Sequence, residues 1–467
     1  MKVLIIAINQ EKLPLAVAPI GAACIVRTLE LVGQDVYFTD LCFSNNLKRN
    51  LVSALQKSDP DIVGLAIRNL DNCSSTGRKT FYQTAQRVIR TVRENSNATI
   101  IMGGGGASVL PQELAQYLDV SYTFIGEGEE SLPAFLREFS GGRNFSKIPG
   151  LLYREGGNWH LNPPDFSGDL DRYPLYAYEK INHKKYFEHG GFIGYQTKRG
   201  CPFKCVYCNY RTLEGTRPRC RSPQLCVDDM EKLVRETGFR DFFFTDGVFN
   251  WPTEHALAIC EEIIRRKLDI RWIAYCNPVG LDEEAARTFK AAGCVGIELG
   301  VDAVTDKMLE NMGKGFSRQD IRKTYQALIH AGIPFAVFLL FGGPEDSYQD
   351  MVETQKILTE FGKANAVFAS LGIRIYRDAP IYDIAIREGV ITPQTNLLEP
   401  VFYISSKLGE DAMDQLDRLA RQEVTWSTPT DWNSFTVKSV QRILNRFRVI
   451  PNWKDIETYG THMRRKR

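Results

Sequence analysis

Histidine is scarce in this 467-residue chain: there are six, and none precedes His160. The first third therefore offers no imidazole ligand. A charge of one sign is lacking as well, since 58 Lys and Arg face 56 Asp and Glu for a formal net charge of +2. That balance leaves no basic face for nucleic acid and no acidic solvating tail. No apolar run reaches the roughly 20 residues of a membrane helix. The opening run Met1-Lys2-Val3-Leu4-Ile5-Ile6-Ala7 is too short for a signal peptide and continues into a folded pattern, so it reads as a buried strand. Eleven cysteines are too sparse at this length for a disulfide scaffold, and a reducing cytoplasm is expected. The terminal Arg464-Arg465-Lys466-Arg467 reads as a short solvated tail.

What is present is an alternation of short apolar runs and amphipathic stretches. Residues 2–8, 35–39, 61–67, 99–103 and 122–125 read as strands, and 20–32, 50–58, 81–95 and 129–139 as helices. Mostly apolar strands in this order predict a parallel, doubly wound, Rossmann-like sheet over residues 1–140. Such sheets bind ligands at the carboxyl ends of their strands. The loops there hold Arg68 and Asn69, four glycines from Gly103 and Gly104 onward, then Ser108, and the run Gly126-Glu127-Gly128-Glu129. Consecutive glycines let a ligand approach the backbone and expose N–H groups to anions, although a plain flexible loop has the same composition.

Residues 141–190 are rich in Gly, Pro, Asn and Asp and read as a linker with a hairpin at 148–162. From 191 to 390 six strands, at 192–197, 242–245, 270–275, 294–299, 335–341 and 366–375, alternate with helices. The fold class is thus α/β, the second unit a partial (β/α)6 barrel. Its strand ends carry Thr245 and Asp246, Glu298 and Gly300, and Arg374. A polar group in a barrel strand is costly without a partner, and ligand contact is the favoured reading for Glu298 and Arg374. Residues 391–467 read as a helical cap with helices at 411–421 and 437–447, packed through Trp426, Trp432 and Trp453.

Just past the first barrel strand runs Arg199-Gly200-Cys201-Pro202-Phe203-Lys204-Cys205-Val206-Tyr207-Cys208. Thiolates spaced C-x3-C-x2-C on one tight loop reach three irons of a [4Fe–4S] cluster and leave the fourth iron open for a ligand that is not protein. Gly200 permits the sharp turn and Pro202 stiffens the loop. Zinc usually takes four protein ligands, and no further Cys or His completes a set nearby. Cys220 and Cys226 follow, too few to hold a second cluster.

With the aromatic Tyr207 just before the third cysteine, this stretch resembles the signature of radical S-adenosylmethionine (SAM) enzymes. The resemblance implies that the open iron chelates SAM, that an electron from the cluster cleaves it to a 5′-deoxyadenosyl radical, and that this radical abstracts hydrogen from a small-molecule substrate. It implies SAM contacts from Tyr207, Thr245, Asp246, Glu298 and Gly300, with Arg374 on the SAM carboxylate. An electron donor such as flavodoxin or ferredoxin is expected as a partner. Cys276 and Cys294 are candidate hydrogen donors to a substrate radical.

A Rossmann-like domain ahead of such a barrel resembles the B12-binding subclass of these enzymes, with a cobalamin-type site at Arg68, Asn69, Gly103, Gly104, Ser108 and Glu127. The chain departs from many cobalamin proteins in having no D-x-H-x-x-G histidine. Two possibilities stay open. Cobalamin held without a histidine implies methylation of an unactivated carbon in natural-product or lipid biosynthesis. A cobalamin-type fold without the cofactor, as in radical SAM diol dehydratases of aminoglycoside biosynthesis, implies radical dehydration or rearrangement of a polar metabolite such as an amino sugar. An iron–sulfur or cobalamin sensor is the non-enzyme alternative, and an open iron at a barrel mouth speaks against it.

Overall fold

The first sheet grows outward from β1 (Lys2–Ala7), a strand with apolar side chains on both faces. In a computed structural model, which describes residues 1–447 and 449–456, it pairs in parallel with β2 (Asp35–Asp40) on one side and β3 (Ile62–Ala66) on the other. β4 (Thr99–Gly103) and β5 (Tyr122–Phe124) continue in parallel beyond β3. β6 (Leu151–Glu155) and β7 (Asn158–Leu161) add an antiparallel edge. The hairpin expected within the linker thus belongs to the first sheet, whose order is β2-β1-β3-β4-β5-β6-β7.

The helices on this sheet form for local reasons. Asn46 caps Leu47–Ser58 by accepting from the Arg49 N–H. Tyr82–Asn95 buries Ala85, Val88, Ile89 and Val92, one face at helical spacing. The glycine run is not the plain flexible loop that its composition alone would allow. Gly104 turns the chain at φ 98°, and a helix, Gly105–Val109, starts at once. A Cβ on Gly104 would lie 2.7 Å from the Ile67 carbonyl oxygen, so the turn has no room for a side chain.

The second sheet begins at β8 (Ile193–Tyr195). β9 (Lys198–Arg199) and β10 (Arg219–Cys220) form a separate antiparallel pair just beyond it. β11 (Asp241–Phe244), β12 (Arg271–Cys276), β13 (Cys294–Asp302), β14 (Phe335–Phe341) and β15 (Ala366–Leu371) follow in parallel. β16 (Ile373–Arg374) pairs antiparallel with β17 (Phe402–Tyr403). β18 (Trp426–Ser427) then pairs in parallel with β15 and gives the partial barrel a seventh strand. Two residues are too short a run for periodicity to reveal, which is why the sequence placed them in the cap.

Alternate residues of these strands face opposite ways. Phe244 and Trp272 pack outward, where Phe249 and Phe289 join them with ring centroids 4.4 to 5.6 Å apart. Phe243, Thr245, Tyr275, Glu298, Phe338 and Phe368 line the lumen. Past the helix Phe435–Arg446, Ile450 packs on Phe192 and Ile273, and Trp453 on Ala336, Ala366, Phe338 and Phe368. These residues close the lumen floor. The expected basic tail lies outside the described residues. No described helix is long and apolar enough to cross a membrane.

Replacing Gly104 by Ala combines a left-handed backbone with a clash against Ile67, and costs on the order of 1–3 kcal/mol. Urea unfolding of the apoprotein is expected to show a lowered midpoint with an unchanged slope.

Candidate functional site

The carboxyl ends of both sheets open into one cavity of about 2460 Å³. A pocket for one drug-sized ligand measures roughly 300–1,000 Å³, so this one has room for a large cofactor and a substrate together. One wall comes from the first sheet: Arg68 and Asn69 after β3, Gly103, Gly104, Gly105 and Ser108 after β4, and Gly126 and Glu127 after β5. The barrel supplies the second wall, and the helix Phe435–Arg446 supplies a third through Val437, Val440, Gln441 and Leu444.

On the first wall the loops brace one another. Ser108 Oγ donates to the Gly104 carbonyl and accepts from the Gly126 N–H, both at 3.0 Å. A Cβ on Gly106 would meet the Asn69 backbone at 2.8 Å, so the loop after β3 lies directly against the glycine turn. Gly104 and Gly105 present bare backbone to the cavity. Burial lowers the Arg68 guanidinium, and no carboxylate of the described residues is paired with it. Glu127 lines the cavity but pairs with Arg219 and, at 3.3 Å, with Arg199. Its expected role as a cofactor contact gives way to a contact between the two halves of the molecule. Glu129 meets Arg199 at 2.5 Å. Burial would raise the Glu129 carboxyl, but Arg199 beside it holds it below the ordinary range.

The cysteine loop springs from the paired β9 and β10, with Arg199 level with Arg219. Gly200 turns at φ 92°. Backbone bonds from elsewhere hold the loop: Cys201 N–H donates to the Gly215 carbonyl, and Val206 N–H to the Met312 carbonyl. Cys201, Cys205 and Cys208 are free and partly exposed. They do not converge as the ligands of one ion would; a cubane meets each thiolate at a different iron. Burial pushes the Cys208 thiol up to about 12, the other two cysteines add to the rise, and the Lys314 cation opposes it. A Cys208 thiol whose charge its neighbours disfavour fits a site completed by positive iron.

Several residues expected to touch SAM are otherwise engaged. Asp246 is fully buried and accepts from the Thr197 N–H at 2.8 Å, Thr197 Oγ1 at 2.6 Å, the Lys198 N–H at 3.2 Å and Lys198 Nζ at 3.1 Å. It anchors the chain entering the cysteine loop. Tyr207 donates its hydroxyl to Asp302, and Lys314 Nζ donates to the same Asp302 oxygen at 2.5 Å and to the Tyr207 hydroxyl at 3.1 Å. Arg374 donates to Asp71 at 2.9 Å and to the carbonyls of Ile375 and Leu397, so every arm of its fork is taken. It is a satisfied internal ion pair between barrel and first domain, not a free carboxylate clamp. Thr245 Oγ1, by contrast, is buried against the cavity without a partner among the described residues. A Cβ on Gly300 would find only the Cys276 carbonyl, at 3.8 Å.

Cys276 and Cys294 are corrected too. They are 2% and 1% exposed, lie outside the cavity lining, and share the outer core with Cys260 of the helix Thr253–Arg266. The pleat turns them away from the lumen, so neither can hand a hydrogen atom to a substrate there. The sequence reading missed Lys314 and Glu214, and took Trp453 only as packing within the cap. Burial pushes the Glu214 carboxyl, which lines the cavity and accepts from the Gly200 N–H, up to about 7. No local pattern marks these three, because each acquires its surroundings through distant segments.

Two family models match the chain: the radical SAM superfamily over residues 195–358 and the B12 binding domain over residues 7–136. The chain is 26% identical to the tryptophan 2-C-methyltransferase of Streptomyces laurentii, over 79% of this chain and 72% of that protein. It is 21% identical to the cytidylyl-2-hydroxyethylphosphonate methyltransferase of Streptomyces wedmorensis, over 91% and 90% respectively. Among solved structures it shares its fold with the radical S-adenosylmethionine methyltransferase TsrM from Kitasatospora setae, solved with cobalamin and a [4Fe–4S] cluster bound. The TM-score is 0.86 at 24% identity, covering 100% of this chain and 99% of that one.

Arg374→Ala strands the buried Asp71 and is expected to cost about 3–5 kcal/mol in chemical unfolding of the apoprotein. The double change Asp71→Leu with Arg374→Met recovers most of that loss. A SAM-clamping arginine would show neither effect.

Proposed function

We propose, for a chain that belongs to the radical SAM enzymes with an N-terminal B12-binding domain, that it transfers a methyl group to an unactivated carbon of a small molecule. The observation that carries this reading is the single cavity shared by the glycine turn and the barrel lumen. A dehydratase with a vestigial first domain has no need of bare backbone at Gly104 and Gly105 facing the reaction chamber. The names of the three similar proteins described above point the same way, since each is a methyltransferase.

Cys201, Cys205 and Cys208 hold the cluster, and the loop bonds to Gly215 and Met312 keep them in place. Thr245 Oγ1 and the open backbone at Gly300 face SAM. Gly104, Gly105 and Ser108 receive cobalamin, with Arg68 and Asn69 beside it. The first domain has no histidine, so its residues would hold cobalamin without an imidazole of their own. When bound, the cluster supplies an electron to SAM and cobalamin carries the methyl group. Lys198, Asp246 and Thr197 hold the strand entering the loop, and the helix Phe435–Arg446 shields the chamber from water. A one-electron donor such as flavodoxin or ferredoxin and a reducing cytoplasm complete the requirements.

Anaerobic reconstitution with iron and sulfide, followed by hydroxocobalamin and desalting, tests the assignment. The expected protein retains roughly four irons and one cobalt per chain, with a cobalamin absorption spectrum. Cys205→Ala is expected to lose iron and keep cobalt. Iron without cobalt in the native chain overturns methyl transfer and leaves radical dehydration or rearrangement.

A further inference from the structure

An aromatic belt surrounds the barrel lumen. Phe243 of β11 meets Tyr275 of β12 edge-on with centroids 5.1 Å apart, Tyr275 meets Phe338 of β14 at 6.4 Å, and Phe338 meets Phe368 of β15 at 5.1 Å. Trp432 extends the belt from Phe368 at 5.7 Å. Within it stands one carboxyl group, Glu298 of β13, 8% exposed. Trp453 Nε1 donates to it at 3.0 Å, and the Tyr275 hydroxyl is its other partner. Both are neutral, and no Lys or Arg of the described residues forms an ion pair with it.

A carboxylate taken out of water without a counter-ion costs several kcal/mol. A barrel strand has no packing reason to hold one where Val or Leu would fill the space. Burial raises the Glu298 carboxyl above its ordinary range, as an unpaired position must. It also lies below the cysteine loop. Glu298 lies four residues before Asp302, which sits beside Tyr207 and Lys314 at the level of the cysteines. Across the bulge after Gly300 the two pair with residues three apart on β14, about 10 Å along the strand at 3.2–3.4 Å per residue.

We propose that Glu298 and the aromatic belt select the substrate, a flat apolar molecule bearing a protonated amine. The amine pairs with the Glu298 carboxylate on the lumen floor, and the ring system lies against Tyr275, Phe338 and Phe368. The belt contributes twice, by stacking on the flat body and by turning ring faces toward the cation. Glu298 is thus a specificity-determining residue rather than a SAM ligand. The inference rests on the methyl-transfer reading only for what happens to the molecule once bound.

The test uses the anaerobically reconstituted holoenzyme, with iron and cobalt measured on the same sample. Equilibrium dialysis compares tryptamine with 3-ethylindole, which keeps the ring and lacks the amine. Tryptamine is expected to bind roughly tenfold or more tighter. Glu298→Gln, which keeps the shape and the Trp453 bond, is expected to abolish that preference while leaving 3-ethylindole and SAM affinities unchanged. Equal binding of the two probes, binding of neither, or a preference that survives Glu298→Gln overturns the inference. A fall in SAM affinity returns Glu298 to the cofactor and overturns it equally. Should Glu298→Gln fail to fold, the tryptamine preference of the native chain decides. Amine preference without cobalt removes methyl transfer alone; cobalt without amine preference removes this inference alone.

Discussion

The contact on which this site depends is ionic. Glu127 and Glu129, at the carboxyl end of the first sheet, meet Arg199 and Arg219 on the two strands that pinch the base of the cysteine loop. All four are largely removed from water, with side chains 6 to 15% exposed. At such burial the geometry matters more than the charge count, because either partner alone would be a stranded ion. One set of contacts therefore fixes the glycine turn and the cysteine loop relative to each other. The cavity between them is the consequence.

A second constraint acts inside the barrel. Asp246 gathers two backbone N–H groups, a hydroxyl and an ammonium from Thr197 and Lys198, and so sets the direction in which the chain leaves β8. The three cysteines that follow are held by backbone bonds to residues near and far, Met312 among them. Ligands preorganised this way lose little entropy when a cluster forms. Charged groups close to the loop serve its shape, while Thr245 Oγ1 and the glycine backbone are left open to a ligand.

Much of the fold was legible in the chain alone. Apolar runs such as 2–8 and 335–341 are buried on both faces in parallel sheets, so composition and length identify them without a partner in view. The cysteine spacing and the glycine run were equally plain, since both depend on residues adjacent in sequence. Arg374 and Asp246 misled for a shared reason: a charge at a strand end looks the same whether it awaits a ligand or already has a partner, and Asp71 stands 303 residues from Arg374. Cys276 and Cys294 misled because a strand's register on the barrel decides which face is the lumen.

The sequence by itself determined the two α/β units, their order, the cluster-type thiols and the absence of an imidazole before His160. These follow from periodicity and local spacing, which short segments carry within themselves. Only the tertiary structure decided which strand ends are occupied by internal partners. It also added the seventh strand Trp426–Ser427, closed the lumen with Trp453, and set Glu298 among aromatic rings without a cation. Each of these joins segments tens to hundreds of residues apart, and burial and charge pairing are properties of the closed fold rather than of any stretch of chain.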